Sequence, residues 1–159
     1  MNAQITITGY YPGVIGRITT LHAIYYRKHW GLDHSFEAEV SRELGDFIAH
    51  FDPRMDGLWN VVKGEDLVGA IAIVGNRETP REARLRWYIV DIRYHRRGIG
   101  RDLIERALAF SKKAGFDRIS LWTFEGLERA QAIYLKSGFR LVETREVPQW
   151  GGMIHEQRF

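Results

Sequence analysis

No cysteine occurs in the chain, which excludes a disulfide framework, a thiolate metal site and covalent catalysis through a cysteine sulfur, and fits a cytoplasmic protein. No stretch approaches the roughly 20 apolar residues a membrane-spanning helix needs, and the opening run MNAQITITGY has neither a basic-then-apolar segment nor a cleavage site. A soluble, unprocessed chain with no membrane partner is expected. The 6 histidines are scattered, without an H-E-x-x-H arrangement or short spacings to carboxylates, so no metal is expected. Neither sign of charge dominates: 23 Lys and Arg stand against 20 Asp and Glu, for a formal net charge of +3. These charges form no stripe or reading helix, so no nucleic acid is expected as a partner.

What is present is enough for a core. Apolar residues make up 45% of 159 and charged residues 27%, and a chain of this size buries roughly two-thirds of its extended surface. One domain over residues 1–159 is expected, with no internal repeat, low-complexity tract or linker.

Alternating apolar residues predict a strand over Gln4 to Thr8. Helical spacing of Ile18, Leu21, Ile24 and Tyr25 predicts a helix from Val14 to Trp30, ended by Gly31. Ser35 offers an N-cap for a second helix, which Asp52-Pro53 stops. Leu58 to Lys63, Leu67 to Val74 and Leu85 to Ile92 are rich in β-branched and aromatic residues and predict an antiparallel meander. Then follow a helix Gly98 to Ala114, a strand Arg118 to Thr123, a helix Leu127 to Ser137, and strands Phe139 to Glu146 and Met153 to Phe159. Gly115 and Gly138 stand where helix ends favour left-handed residues. The order β-α-α-β-β-β-α-β-α-β-β implies an α/β (α+β) fold, with a mixed, mostly antiparallel sheet of about seven strands and helices on both faces.

The segment Tyr94-His95-Arg96-Arg97-Gly98-Ile99-Gly100-Arg101 joins a strand to a helix. A helix start presents unpaired N–H groups and partial positive charge, so it binds anions. Gly98 and Gly100 remove Cβ atoms that would keep a phosphate oxygen from the amides, while Arg96, Arg97 and Arg101 add positive charge. A pyrophosphate is the ligand expected. The spacing excludes a P-loop, which needs Lys and Ser or Thr after the glycines, and a dinucleotide fingerprint, whose third glycine is replaced by Leu103.

Leu85-Arg86-Trp87-Tyr88-Ile89-Val90, this loop and Asp102-Leu103-Ile104 together resemble the coenzyme A motif of the GNAT superfamily of N-acetyltransferases. The resemblance continues through Ile119 to Thr123 and Ala130 to Phe139 and covers about half of the chain. It is strongest to acetyltransferase domains fused behind MarR-type helix-turn-helix regulators. Two positions depart from the pattern: His95 stands where the family has Arg or Gln, and Arg96 where many members carry glycine. Since the family's phosphate contacts come mainly from backbone amides, these changes are expected to weaken the site more than abolish it.

The resemblance implies acetyl-coenzyme A as donor, with the pantetheine arm beside Tyr88-Ile89-Val90 as an extra strand, and direct transfer to the amine of a small molecule or peptide. It makes Tyr134, in the context Tyr-x-x-x-Gly-Phe, the acid for the departing thiolate. The base that takes the amine's proton stays unassigned among Glu125, Asp91 and Glu82. Tyr25, Tyr26, His29, Trp30 and Phe36 fall in the acceptor region, most of them as core. Trp150 is open to two roles, a cover over the acceptor mouth or a contact in a homodimer. A non-catalytic acyl-coenzyme A-binding module remains the alternative to an enzyme.

Overall fold

The structure, a computed structural model, describes residues 4–159, so the first three residues of the run read for a leader lie outside it. The described residues form eight strands and four helices: β1 Ile5–Thr8, α1 Val14–Trp30, α2 His34–Ala49, β2 Gly57–Lys63, β3 Asp66–Gly75, β4 Glu82–Val90, α3 Ile99–Ala114, β5 Arg118–Ser120, β6 Trp122–Phe124, α4 Glu128–Lys136, β7 Glu143–Gln149 and β8 Gly152–Arg158. They build a five-stranded sheet in the order β1-β2-β3-β4-β5 and a three-stranded sheet in the order β6-β8-β7. All pairings are antiparallel except β4 with β5.

Helices cover both faces, as expected. Val14 and Ile18 of α1 and Val40, Leu44 and Phe47 of α2 form one core layer with Ala70 and Ala72 of β3. Leu103, Ile104 and Ala107 of α3 form the other with Ile71 and Ile73. The alternation along β3 is the period-2 signal of a strand covered on both sides.

Four expectations need correction. Asp33, not Ser35, caps α2, its carboxylate accepting the Ser35 N–H at 2.9 Å. The expected strand Arg118 to Thr123 is two strands in different sheets, so eight strands form where about seven were expected. Residues 139–142 are not strand and β7 starts at Glu143, because its partner β8 ends at Arg158 and Phe159 pairs with Leu121 instead. Finally, β4 ends at Val90, and Ile92–Tyr94 form a single 3₁₀ turn capped by Asp91. Gly115 (φ 86°) and Gly138 (φ 99°) do take the left-handed conformation.

Candidate active site

The site begins where the two sheets part. β5 pairs with β4 only at Glu82, Ala83 and Arg84. At Leu121 the chain changes partner, exchanging two backbone hydrogen bonds of 3.0 Å with Phe159, and β6 then pairs with β8. Beyond Arg84 the edge of β4 therefore faces a gap. Asp91 N–H donates to Val68 O at 2.8 Å, toward β3, so strand alternation turns the N–H and C=O of Val90 into the gap.

Inside β4 a bulge sets Trp87 and Tyr88 opposite Ile71 of β3, with Trp87 at a left-handed φ of 51°. One extra residue reverses which side chains face which layer. Leu85 lies in the layer under α3, whereas Trp87, two residues on, packs with α1 and α2, and Tyr88 turns to the α3 side.

Past the 3₁₀ turn, Arg96 (φ 64°) and Gly98 (φ 79°) both take left-handed conformations. That is the physical reason a glycine suits the Arg96 position. Helix α3 closes its first bond from Asp102 N–H to Gly98 O at 3.0 Å, so the N–H groups of Ile99, Gly100 and Arg101 come before any intrahelical partner. His95 Nε2–H donates to Val90 O at 2.8 Å, bracing the loop against the end of β4. A Cβ at Gly100 would also collide with the Tyr88 hydroxyl, which gives a second reason for glycine at this position.

Loop, strand edge and α4 enclose one cavity of about 860 Å³, within the range of small-ligand sites. Of the ten residues expected to hold the donor, Tyr88, Ile89, Val90, His95, Arg96, Gly98, Ile99, Gly100 and Arg101 line it. Arg97 does not; its guanidinium stacks over the Tyr94 ring at 5.0 Å. Tyr134, 4% exposed, lines the cavity from α4 with its ring 5.9 Å from that of Tyr88. Burial pushes the Tyr88 phenol up to about 12 and raises the Tyr134 phenol well above its usual value. Both stay protonated at neutral pH and can donate.

The sequence matches the Acetyltransferase (GNAT) family over residues 17–139. The chain belongs to this family. Comparison with curated proteins gives no match. Among solved structures it resembles a Streptococcus agalactiae acetyltransferase (22% identity, TM-score 0.72, 96% of each chain covered) and a Staphylococcus aureus GNAT-family acetyltransferase (16%, 0.73, 98% of each). It also resembles Arabidopsis thaliana NAA60 in complex with a bisubstrate analogue (16%, 0.70, 98% of this chain and 96% of that one). At such identities the likeness is one of fold.

Among the cavity residues that escaped the sequence is His22 of α1, 5% exposed. Its Nδ1 lies 2.8 Å from Ile18 O. A carbonyl only accepts, so Nδ1 carries the proton and Nε2 keeps its lone pair. Burial lowers its pKa to about 4, which keeps the ring neutral. A histidine on a helical apolar stripe carries no signal of its own in sequence.

None of the three carboxylates considered as base lines the cavity. Asp91 is bonded to Arg93 at 2.7 Å, which holds its pKa below the usual range. Glu82 is paired with Arg118 at 3.4 Å, and Glu125 is exposed. Tyr25, Tyr26 and Phe36 line the cavity, while His29 and Trp30 do not. Trp150 is packed within its own chain, 5.1 Å from Phe36 and 5.9 Å from Phe124, its indole N–H donating to Glu39.

Proposed function

We propose that this GNAT chain is an acetyl-coenzyme A-dependent N-acetyltransferase that passes the acetyl group directly to a primary amine, of a small molecule or a peptide, in a ternary complex. The observation that carries this is the continuity of one cavity from the free amides of α3, along the unpaired edge of β4, to Tyr134.

The residues fit the donor. The N–H groups of Ile99, Gly100 and Arg101, with the positive end of α3, suit a pyrophosphate, and Arg96 and Arg101 add charge. The N–H of Val90 suits a carbonyl of an extended arm, while its C=O is held by His95. Bound there, the donor supplies a thioester, whose acetyl carbon is the electrophile. Tyr134 donates a proton toward the thiolate sulfur as the carbon–sulfur bond breaks. A thiol of pKa about 8.5 is a stronger acid than this phenol, so the proton moves with the charge developing on sulfur as the bond breaks and not before it. His22 Nε2 accepts a hydrogen bond from the attacking amine, orienting its lone pair, and the proton that the nitrogen sheds as the amide forms balances the one given to sulfur and restores the Tyr134 phenol.

Thiol release measured with acetyl-coenzyme A across polyamines, amino acids, aminoglycosides and peptides tests the reading, with calorimetry of donor binding alongside. Gly100→Asp, which sets bulk and negative charge at the amides, is expected to abolish both signals in a folded protein. Unchanged affinity in that variant would displace the phosphate site, and donor binding with no turnover on any amine would favour the non-catalytic module.

A further inference from the structure

The acceptor end of the cavity holds a positive charge that the protein leaves unanswered. Before the bulge, Leu85 faces α3, so Arg84 and Arg86 on either side of it face α2. Arg86 is committed: it is bonded to Glu43 of α2 and lies 4.3 Å over the Trp87 ring. Across the gap Arg145 of β7 is committed too, bonded to Glu156 of β8 at 2.7 Å and 3.9 Å over the Trp122 ring. Between these pairs Arg84 lines the cavity without a salt bridge among the described residues. Its charged neighbours are Arg86, Glu43, Glu156 and Arg145. Both carboxylates are already engaged, so three guanidiniums face two acids.

Arg84 is exposed, its side chain open to the cavity, while the protein around its base and Arg86 beside it lower its pKa to about 10. It remains charged at neutral pH. An exposed guanidinium with no protein partner among the described residues, set in a cavity wall beside two paired arginines, is free to take a ligand anion. The donor's phosphates are the wrong anion. The amides of α3 follow Val90, six residues along β4 from Arg84, which is about 20 Å of strand.

We propose that Arg84 anchors an acidic group, a carboxylate, on the amine acceptor, so that the substrate class is amino-acid-like amines and not polyamines or other polycations. This rests on the transferase reading above for the identity of the amine, but the anion site itself does not require turnover. An arginine fork matches a carboxylate bidentately, and the leftover positive charge repels a second ammonium.

Matched pairs of amino acids and their decarboxylated amines test this, with calorimetric binding to the coenzyme A-loaded protein and thiol release read in parallel. The carboxylated member is expected to bind at least ten-fold tighter to the wild type. Arg84→Gln should raise its KM ten-fold or more and leave the decarboxylated partner unchanged, while Arg84→Lys should retain part of the preference and show that the fold persists. Equal binding of both members to the wild type, no binding of either, tighter binding of a polyamine, or a preference that survives Arg84→Gln would each overturn the proposal. Carboxylated amines that bind through Arg84 but are never acetylated would uphold the anion site and sink the transferase reading. Acetylation indifferent to the carboxylate would do the reverse.

Discussion

The hydroxyl of Tyr88 lies in the space that a Cβ on Gly100 would occupy. The bulge at Trp87 turns Tyr88 toward α3, and the first turn of α3 accommodates it by having no side chain there. The loop and the strand edge, which meet the two halves of the donor, are thus fitted to each other at this pair.

Gly100→Ala is therefore expected to displace Tyr88 and weaken acetyl-coenzyme A binding about ten-fold, the scale of 1–3 kcal/mol for overpacking. In the Tyr88→Phe background the same alanine meets the ring carbon at 3.5 Å and Ile133 at 3.6 Å, both ordinary contacts, and affinity should largely return. Calorimetry on the four proteins reads this as a double-mutant cycle. Equal losses in both backgrounds would mean that the phosphate, and not Tyr88, needs the glycine.

Tyr134→Phe keeps the packing against Phe139 and Phe159, whose rings lie 6.0 and 5.7 Å away, and removes only the hydroxyl. Donor affinity and melting temperature should hold while kcat falls ~10²-fold, the usual scale for a general acid. Unchanged turnover with chemistry rate-limiting would remove Tyr134 from the reaction.

The elements around the site were legible because each carries its own periodicity: α1 and α3 begin and end within a residue of the apolar pattern and its flanking glycines. The loop was legible because Gly98 must satisfy a local backbone geometry. What escaped is tertiary. Arg118 to Thr123 reads as one strand, and only the pairing of Leu121 with Phe159, far along the chain, moves its second half to another sheet. The bulge is equally silent, so the face of Tyr88 cannot be counted from alternation, and the isolation of Arg84 appears only once Glu43 and Glu156 are seen to be paired with Arg86 and Arg145. His22 gains meaning only from the cavity. The narrower likeness to domains fused to MarR-type regulators rests on residue patterns, whereas the family match reaches only to GNAT acetyltransferases.

His22 gives the fold a pH dependence of known sign. Its pKa is about 4 in the folded chain and about 6.5 when unfolded, so between these values the unfolded state binds more protons. Its contribution to stability is complete above pH 6.5 and is lost as pH falls from there to 4, by about 3 kcal/mol in all. In denaturant titrations, His22→Gln should flatten the stability–pH slope in that window by up to one proton. Parallel curves for the two proteins would show that His22 is not held neutral.

Asp56, 1% exposed, joins β2 to the segment after β3. Its carboxylate accepts the Gly75 N–H at 3.0 Å, the Asp52 N–H at 2.9 Å and both Arg77 amino groups at 2.7 and 2.5 Å. Asp56→Ala strands these donors and should cost about 3 kcal/mol. Arg77→Gln should cost less, because the Arg77 side chain is 44% exposed and water can replace part of its role. Denaturant midpoints order the two variants; equal losses would mean that the ion pair, and not the buried backbone bonds, carries the stability.

Direct transfer is the last expectation, and it follows from what lines the cavity. No cysteine exists to hold an acetyl group, and Tyr134 and Tyr88, the phenols beside the gap, are pushed by burial away from the ionised, nucleophilic form. An amine entering past Tyr25 and His22 opens into the same cavity as the edge of β4, so the two substrates can meet without a protein-bound relay. Initial rates with both substrates varied should give intersecting reciprocal plots, and protein incubated with acetyl-coenzyme A alone should show no stoichiometric gain of an acetyl mass. Parallel plots, together with an acetylated species that passes its group to the amine at the turnover rate, would require a nucleophile that neither tyrosine nor any cysteine here supplies. Direct attack would then be wrong even with the GNAT fold intact.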